Sequence, residues 1–164
     1  CIFKDCIFNS CDFENSTFLN CKFIDCDFSS SKFNKTQLDK ININTCKFSG
    51  TSFTSAKLEN VIIKDSNFNY SSQFESKIVD LFIEKCTFIE ACFNSCELIN
   101  FNLNEVDFSK TEFFNTLLKD IDFTTSIIDN IQFSKDMMEI KGIIVDTYQA
   151  ANIASLLGII IKDF

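Results

Sequence analysis

The chain begins with Cys1-Ile2-Phe3-Lys4-Asp5, Cys6-Ile7-Phe8-Asn9-Ser10 and Cys11-Asp12-Phe13-Glu14-Asn15. Each of these five-residue units places a small residue first, Phe in the centre and two polar residues at the end. The pattern continues to about Lys135 without a net shift of frame. A period of five fits neither the period of two of a strand nor the period of about 3.6 of a helix, so the chain must turn a corner once per unit.

The central positions of the units predict how the corners close into a coil. Of the 27 central positions between residues 3 and 133, 26 hold Phe, Leu or Ile, and the exception is Gln73. Like residues recur every 20 positions, with Phe at 8, 28, 48, 68, 88 and 108 and Leu at 38, 58, 98 and 118. This spacing predicts an all-β solenoid with four sides per coil, whose coils stack about 4.8 Å apart. Residues 1–135 would then form a rod on the order of 30 Å long, which needs a cap at each end.

The nine Cys residues follow the same repeat. All but Cys92 stand at the first position of a unit, where other units carry Ser, Thr, Ala or Val. Such interchange indicates a small buried packing position, because free Cys packs as a small hydrophobe. Cys6 and Cys26 would lie near disulfide distance, but a reducing cytosol predicts free thiols.

One unit departs from the pattern, because in Ser71-Ser72-Gln73-Phe74-Glu75 the Phe is displaced by one position. Either Gln73 points inward, or the coil bulges to bring Phe74 into the core. We favour a bulge near Gln73, since an unpaired buried amide costs about 1 to 3 kcal/mol.

After Lys135 the repeat ends, and residues 136–164 form a second segment. Gly142-Ile143-Ile144-Val145 predicts a short strand, Asp146-Thr147 an N-cap, and Tyr148 to Leu157 a helix that stops at Gly158. Ile159-Ile160-Ile161 predicts a last apolar strand. This segment holds more apolar surface than the cap of one coil requires, so it either only covers the last coil or also forms an interface.

Composition narrows the range of functions. The 164 residues predict one domain, and their net charge of -8 argues against binding to nucleic acid or to anionic membranes while leaving a basic protein partner open. No apolar run is long enough to span a membrane, so we predict a soluble cytoplasmic protein.

The chain opens on Cys1 within a repeat, and we expect residues that precede it. It has no His, no Gly-rich phosphate loop and no pattern of metal ligands, which predicts a protein that is not an enzyme and needs no cofactor.

The repeat of residues 1–135 resembles that of the pentapeptide repeat proteins, whose motif is a small residue, a polar residue, Leu or Phe, and two polar residues. The resemblance implies a right-handed quadrilateral β-helix with a short C-terminal helical capping and dimerisation segment.

A second resemblance is carried by Asp146-Thr147-Tyr148-Gln149-Ala150 together with Leu156-Leu157-Gly158-Ile159. These residues are similar to the C-terminal signature of the fluoroquinolone-resistance (Qnr-like) pentapeptide proteins. The resemblance implies a homodimer joined through the C-terminal segment, a DNA mimic that binds DNA gyrase and topoisomerase IV and protects them from quinolones. The dimerisation residues would be Tyr148, Ile153, Leu156, Leu157, Ile159, Ile160 and Ile161.

The charges of the repeat test the idea of DNA mimicry. Residues 1–135 hold 19 acidic residues and 13 Lys, and the exposed positions of the four sides sum to -2, -2, -1 and -1. The best acidic ladder is Asp65, Glu84, Glu105 and Asp122, although Lys64 and Lys85 interrupt it. These four residues are either a solvated face or the face that binds a partner. The alternative function is a structural or scaffold module with a different protein partner.

Outward apolar residues form two further groups. Ile62 and Phe82 fall on adjacent coils of one side, and Val79, Ile99 and Leu117 fall on another. Contiguity would make them interaction stripes, whereas isolated exposed apolar residues are ordinary.

Overall fold

In a computed structural model, which describes residues 1–162, six parallel strands form one sheet in chain order. The strands are β1 (Ile2–Lys4), β2 (Thr17–Ile24), β3 (Gln37–Asn44), β4 (Lys57–Lys64), β5 (Lys77–Glu84) and β6 (Glu97–Asn104). Neighbouring strands pair residues that are 20 apart in sequence, such as Phe23 with Ile43. The predicted all-β solenoid with a coil of 20 residues is therefore confirmed.

Each coil has four sides. The strands β2 to β6 cover two of them, and isolated parallel bridges such as Asp27 with Lys47 and Lys32 with Ser52 join the other two. Every bridge between residues 7 and 132 again joins positions that are 20 apart. Backbone hydrogen bonds therefore run along the rod axis from coil to coil.

The corners are made by left-handed backbone. From Asp5 to Asp120, every fifth residue has a positive φ, between 48° at Asp65 and 65° at Gly50. Asn and Asp occupy many of these positions, and their side chains tolerate this conformation better than most. The last position of each five-residue unit therefore turns the chain by one side.

The core is a set of stacked rings. Phe28, Phe48, Phe68 and Phe88 follow one another on successive coils, with ring centroids 4.7, 4.6 and 4.9 Å apart and nearly parallel planes. Cys21, Cys26, Cys46, Cys86 and Cys96 are buried beside the central residues. The inward packing position predicted for the first residue of each unit is confirmed for these five.

The bulge predicted near Gln73 is wrong. Gln73 is only 3% exposed, and Phe74 lies at the surface with 39% of its area exposed. The backbone keeps the five-residue period, since Ser72 bridges Cys92 and the Gln73 N–H donates to the Cys92 carbonyl oxygen at 2.7 Å. An unbroken ladder on both neighbouring coils outweighs the cost of burying one amide.

After the repeat, a 3-10 helix spans Met138–Ile140 and helix α1 spans Thr147–Leu156. The short strand predicted at 142–145 is reduced to one isolated bridge, between Ile144 and Asp122. The predicted helix is confirmed within one residue. The strand predicted at 159–161 is wrong. Gly158 turns the chain with a φ of 77°, and the Ile159 N–H closes the helix end by donating to the Ala154 carbonyl oxygen at 3.0 Å.

The ladder between coils has one interruption. Strand β6 is the last strand of the sheet, and residues 117–124 on the next coil are not assigned to a strand. The other two sides of the same coils remain bridged, through Asp107 with Ile127 and Glu112 with Gln132. The coils therefore separate on two of their four sides at this level.

Candidate interaction surfaces

Helix α1 is fixed to the last coil by Gln149. The Asp146 carboxylate accepts from the Gln149 backbone N–H at 2.8 Å, and the Gln149 side-chain oxygen accepts from the Asp146 N–H at 3.0 Å. The Gln149 amide nitrogen then donates to the carbonyl oxygens of Phe123 and Ser126, both at 2.7 Å. The spacing of Asp146 and Gln149 is that of a capping box and was readable from the sequence. The docking onto Phe123 and Ser126 was missed, because only the fold brings those carbonyl groups close.

Glu139 is a second anchor that the sequence reasoning missed. Its carboxylate is 2% exposed and accepts from the Asn115 backbone N–H at 2.8 Å and from the Ser134 hydroxyl group. Burial raises the pKa of Glu139, but the hydrogen bonds from Ser134 and Asn115 outweigh it and hold the pKa below its ordinary value. Glu139 therefore joins the 3-10 helix to the last coil as a carboxylate.

Six of the seven predicted dimerisation residues are exposed. The exposed fractions are 70% for Tyr148, 46% for Leu156, 39% for Leu157, 54% for Ile159, 87% for Ile160 and 49% for Ile161. Ile153 is the exception, because it is 8% exposed and packs within the hydrophobic core. Its assignment to the interface is corrected, since it points from α1 toward the last coil.

A groove runs beside the exposed part of α1. Its volume is about 340 Å³, and Tyr148, Asn152 and Leu156 line it on the helix side. Asp129 and Asn130 of the last coil form the opposite wall, where Asn152 donates to Asp129 at 3.2 Å. The six exposed residues and this groove are together called the cap surface.

The four residues of the predicted acidic ladder lie on successive coils of one side. Asp65 and Glu105 are corner residues with positive φ, and Glu84 and Asp122 flank them on the flat part of the side. Glu84 is the only one in an ion pair among residues 1–162, with the Lys64 Nζ at 2.7 Å, and this contact lowers its pKa. The Thr124 hydroxyl and N–H lower the pKa of Asp122. The ladder therefore presents three carboxylates without an ion pair and one neutralised pair.

The outward apolar residues are contiguous on two sides. Ile62 and Phe82 are register partners of β4 and β5, and the Lys64 Nζ lies 5.7 Å from the Phe82 ring centroid. Val79 and Ile99 are register partners of β5 and β6. Leu117 is 63% exposed but follows the interruption of the ladder, so it does not extend that second stripe by pairing.

Within the described part of the chain, residues 1–162, no group of three or more His, Cys, Asp or Glu side chains is placed to hold a metal ion. Neither described helix has the length and apolar character needed to cross a membrane.

Comparison with known proteins identifies the repeat. Residues 1–78 match a family described as a pentapeptide repeat region, which confirms the recognised repeat over these residues. No match was found among curated proteins.

Several solved structures are similar to the chain at low identity. QnrB1, a plasmid-mediated fluoroquinolone resistance protein, is 18% identical with a TM-score of 0.41, and the match covers 96% of this chain and 88% of QnrB1. HetL from the cyanobacterium Nostoc sp. strain PCC 7120, a pentapeptide repeat protein involved in heterocyst differentiation regulation, is 13% identical with a TM-score of 0.43. That match covers 77% of this chain and 65% of HetL. Rfr23, a pentapeptide repeat protein from the cyanobacterium Cyanothece 51142, is 12% identical with a TM-score of 0.35, and its match covers 87% of this chain and 91% of Rfr23.

Proposed function

We propose that this pentapeptide repeat chain is a non-enzymatic rod that binds a protein partner and works as a homodimer. The cap surface is the observation that carries the proposal. It gathers Tyr148, Leu156, Leu157 and the 159–161 run, each at least 39% exposed, at one end of the rod. Concentrated exposed apolar area of this kind typically marks a protein interface. Two copies joined there would double the length of the rod.

For the partner, we propose DNA gyrase or topoisomerase IV, bound by the rod in the place of DNA. The resemblance of the Asp146–Ala150 and Leu156–Ile159 segments to the Qnr-like proteins supports this choice. The repeat has an excess of acidic residues, 19 against 13 Lys. Duplex DNA would carry about 18 charges over the same length of about 30 Å, so the rod is a sparse mimic. Recognition would therefore depend on particular carboxylates, among which Asp65, Glu105 and Asp122 are unpaired on one side.

The test is a gyrase supercoiling assay in the presence of a quinolone. We expect purified chain to restore supercoiling in a dose-dependent way. A triple variant with Asp65→Asn, Glu105→Gln and Asp122→Asn should restore less, because it removes the unpaired carboxylates of the ladder and keeps their shape. The control variant Asp39→Asn removes a carboxylate from another side. No restoration at any concentration of the wild-type chain would remove the topoisomerase assignment.

A second candidate is a scaffold module with a different protein partner. The observation that favours it is the spread of Lys residues along the rod. Five of them pair with Glu within residues 1–162, so no side is strongly acidic. Under this candidate the stripe of Ile62 and Phe82 would be the contact surface. A pull-down that recovers another protein and no gyrase, and that an Ile62→Lys variant abolishes, would favour it.

A further inference from the structure

The interruption at β6 leaves one edge of the sheet without a partner. Strand β5 pairs with β6 along its whole length, from Lys77 with Glu97 to Glu84 with Asn104. On the other side of β6, no backbone hydrogen bond joins residues 97–104 to residues 117–124 in the described chain. The main-chain groups of β6 that point along the rod axis are therefore free to accept another strand.

Residues 117–124 are paired only on their other edge, which faces away from β6 toward the C-terminal segment. The Leu118 N–H donates to the Glu139 carbonyl oxygen, the Asp120 N–H to Gly142 and the Phe123 N–H to Ile144, each at 2.9 Å. Meanwhile the Phe108 N–H still donates to the Ile127 carbonyl oxygen at 2.8 Å on the neighbouring side. The gap is consequently a wedge, closed on two sides of the rod and open on the other two.

The wedge opens the core to solvent. Ile78 and Ile83 of β5 are 1% and 0% exposed. Their register partners on β6, Leu98 and Leu103, are half-buried although they occupy the same inward positions. The gap at this level is therefore wide enough to expose part of Leu98 and Leu103. On the preceding inner coils, the residues at the same positions are buried.

Two cavities lie along the wedge. One, of about 340 Å³, is lined by Phe82, Phe101 and Leu103 and bordered by Asp120 and Asp122. The other, of about 430 Å³, continues around the corner past Val106 and Ile127. Its charged lining residues are Lys85, Glu105 and Asp107, and Thr125 borders both cavities. Four carboxylates and one ammonium group thus border the two cavities.

We propose that this wedge binds an extended peptide strand with basic side chains, which pairs with the free edge of β6. The main-chain groups of β6 provide the hydrogen bonds of strand addition. Leu98 and Leu103 provide apolar contacts for one face of the strand, and Asp120, Asp122, Glu105 and Asp107 attract its Lys or Arg side chains. The site is separate from the cap surface but shares Glu105 and Asp122 with the acidic ladder of the proposed function. Strand pairing with β6 is tested by a different readout, so the two proposals can fail separately.

The test uses a fluorescein-labelled peptide of sequence Lys-Val-Lys-Val-Lys-Val-Lys and the full chain, with binding followed by fluorescence anisotropy. We expect saturable binding, weakened about fivefold in the double variant Asp120→Asn and Asp122→Asn, because two exposed ion pairs are lost. The control is Asp5→Asn with Asp12→Asn. It changes the same kinds of position, a corner with positive φ and a carboxylate that accepts a backbone N–H two residues on, and should leave binding unchanged.

Two further measurements separate strand addition from simple charge attraction. The same peptide with alternate amides N-methylated cannot complete a ladder and should bind at least about tenfold more weakly. Hydrogen exchange should show slowed exchange of residues 97–105 on addition of the unmodified peptide. Equal binding of the N-methylated peptide, no binding at all, or protection confined to other residues would overturn the proposal. So would protection of residues 97–105 that rises with chain concentration alone, since it would identify a second copy of this chain as the occupant.

Discussion

The Gln73 amide nitrogen donates to the Ser71 hydroxyl oxygen at 2.8 Å, while the Gln73 side-chain oxygen is buried without a partner among residues 1–162. Phe53 and Phe93 stand at the same position on the coils before and after, and a cavity of about 20 Å³ lies beside the amide. An orphaned buried oxygen of this kind costs about 1 to 3 kcal/mol.

Replacing Gln73 with Leu should therefore stabilise the rod. The change removes the orphaned oxygen and fills part of the cavity, and Ser71 keeps its bond to the Phe68 carbonyl oxygen at 2.6 Å. We expect the free energy of unfolding to rise by about 1 kcal/mol in guanidinium titrations. Gln132→Leu is the control, because Gln132 is exposed at the same side and should give no gain. A loss of stability in Gln73→Leu would mean that the amide has an unrecognised partner.

Gln73 also shows where sequence reasoning succeeds and fails. The period of five and the recurrence at 20 depend on the local pattern, and they gave the coil, its four sides and its inward residues. The conformation of the one aberrant unit depends on its neighbouring coils. Two intact ladders hold Gln73 in register despite the free-energy cost of burying its amide. Single-residue energetics favoured the bulge and did not include that cooperative constraint.

The interruption after β6 and the burial of Ile153 were missed for a related reason. Leu118 and Phe123 fit the repeat as well as any central residues, so their local pattern predicts another regular coil. Their N–H groups pair with the C-terminal segment as those of a regular coil pair with the next coil, and only the bonds on the opposite edge, toward β6, are missing. That loss is visible only in three dimensions. Likewise, the apolar positions of α1 gave the helix but did not distinguish Ile153, which faces the coil, from Leu156, which faces outward.

The corners provide a second prediction. Lys40 has a φ of 55°, in a region that costs an ordinary side chain about 1 to 2 kcal/mol and that Asn adopts more readily. Lys40→Asn should raise the free energy of unfolding by about 0.5 kcal/mol. Lys22→Asn makes the same chemical change on the flat part of β2 and should be neutral or slightly destabilising, since Asn is a poor strand former. Equal effects of the two substitutions in thermal unfolding would contradict the role of backbone conformation.

Thiol reactivity gives a third prediction. Burial raises the pKa of Cys46 to about 11 and those of Cys86 and Cys96 to about 12, so these thiols stay protonated at pH 8. We expect Cys1, Cys6, Cys11 and Cys92, which are not buried, to react first with a disulfide reagent such as dithionitrobenzoate. Cys46, Cys86 and Cys96 should react at least about a hundredfold more slowly.

Denaturant is the control for that measurement, because in guanidinium all nine Cys should react at one rate. Mass spectrometry after alkylation assigns each site. Rapid labelling of Cys46 or Cys86 in the folded chain would show that the coils open far more often than a continuous hydrogen-bonded ladder allows.

Glu139 gives a dependence on pH. Its pKa is lowered in the folded chain, so its stabilising contribution is present above the pKa of the unfolded state, about 4.3, and is lost as the pH falls through the folded value. Glu139→Gln should cost about 1 to 2 kcal/mol at pH 7, because it weakens the contacts with Asn115 and Ser134. The difference from wild type should shrink below about pH 4.

Unfolding followed by circular dichroism from pH 3 to pH 7 measures that difference. The control Glu75→Gln alters an exposed corner residue and should stay within about 0.5 kcal/mol of wild type at pH 7. A cost of Glu139→Gln that is the same at pH 3 and pH 7 would show that the carboxylate charge contributes nothing.

The cap surface gives the last prediction, which concerns assembly. Leu156 and Leu157 are 46% and 39% exposed at the end of α1, whereas Ile153 of the same helix packs into the core. Replacing both Leu156 and Leu157 with Glu should therefore leave the fold intact and place two charges in the interface of each protomer. Light scattering should give a dimer for the wild-type chain and a monomer for the variant. Leu19→Glu, which changes an apolar residue 59% exposed on β2 far from α1, should remain dimeric. A dimer that survives the double substitution, or a wild-type chain that stays monomeric at high concentration, would exclude the cap surface as the dimer interface.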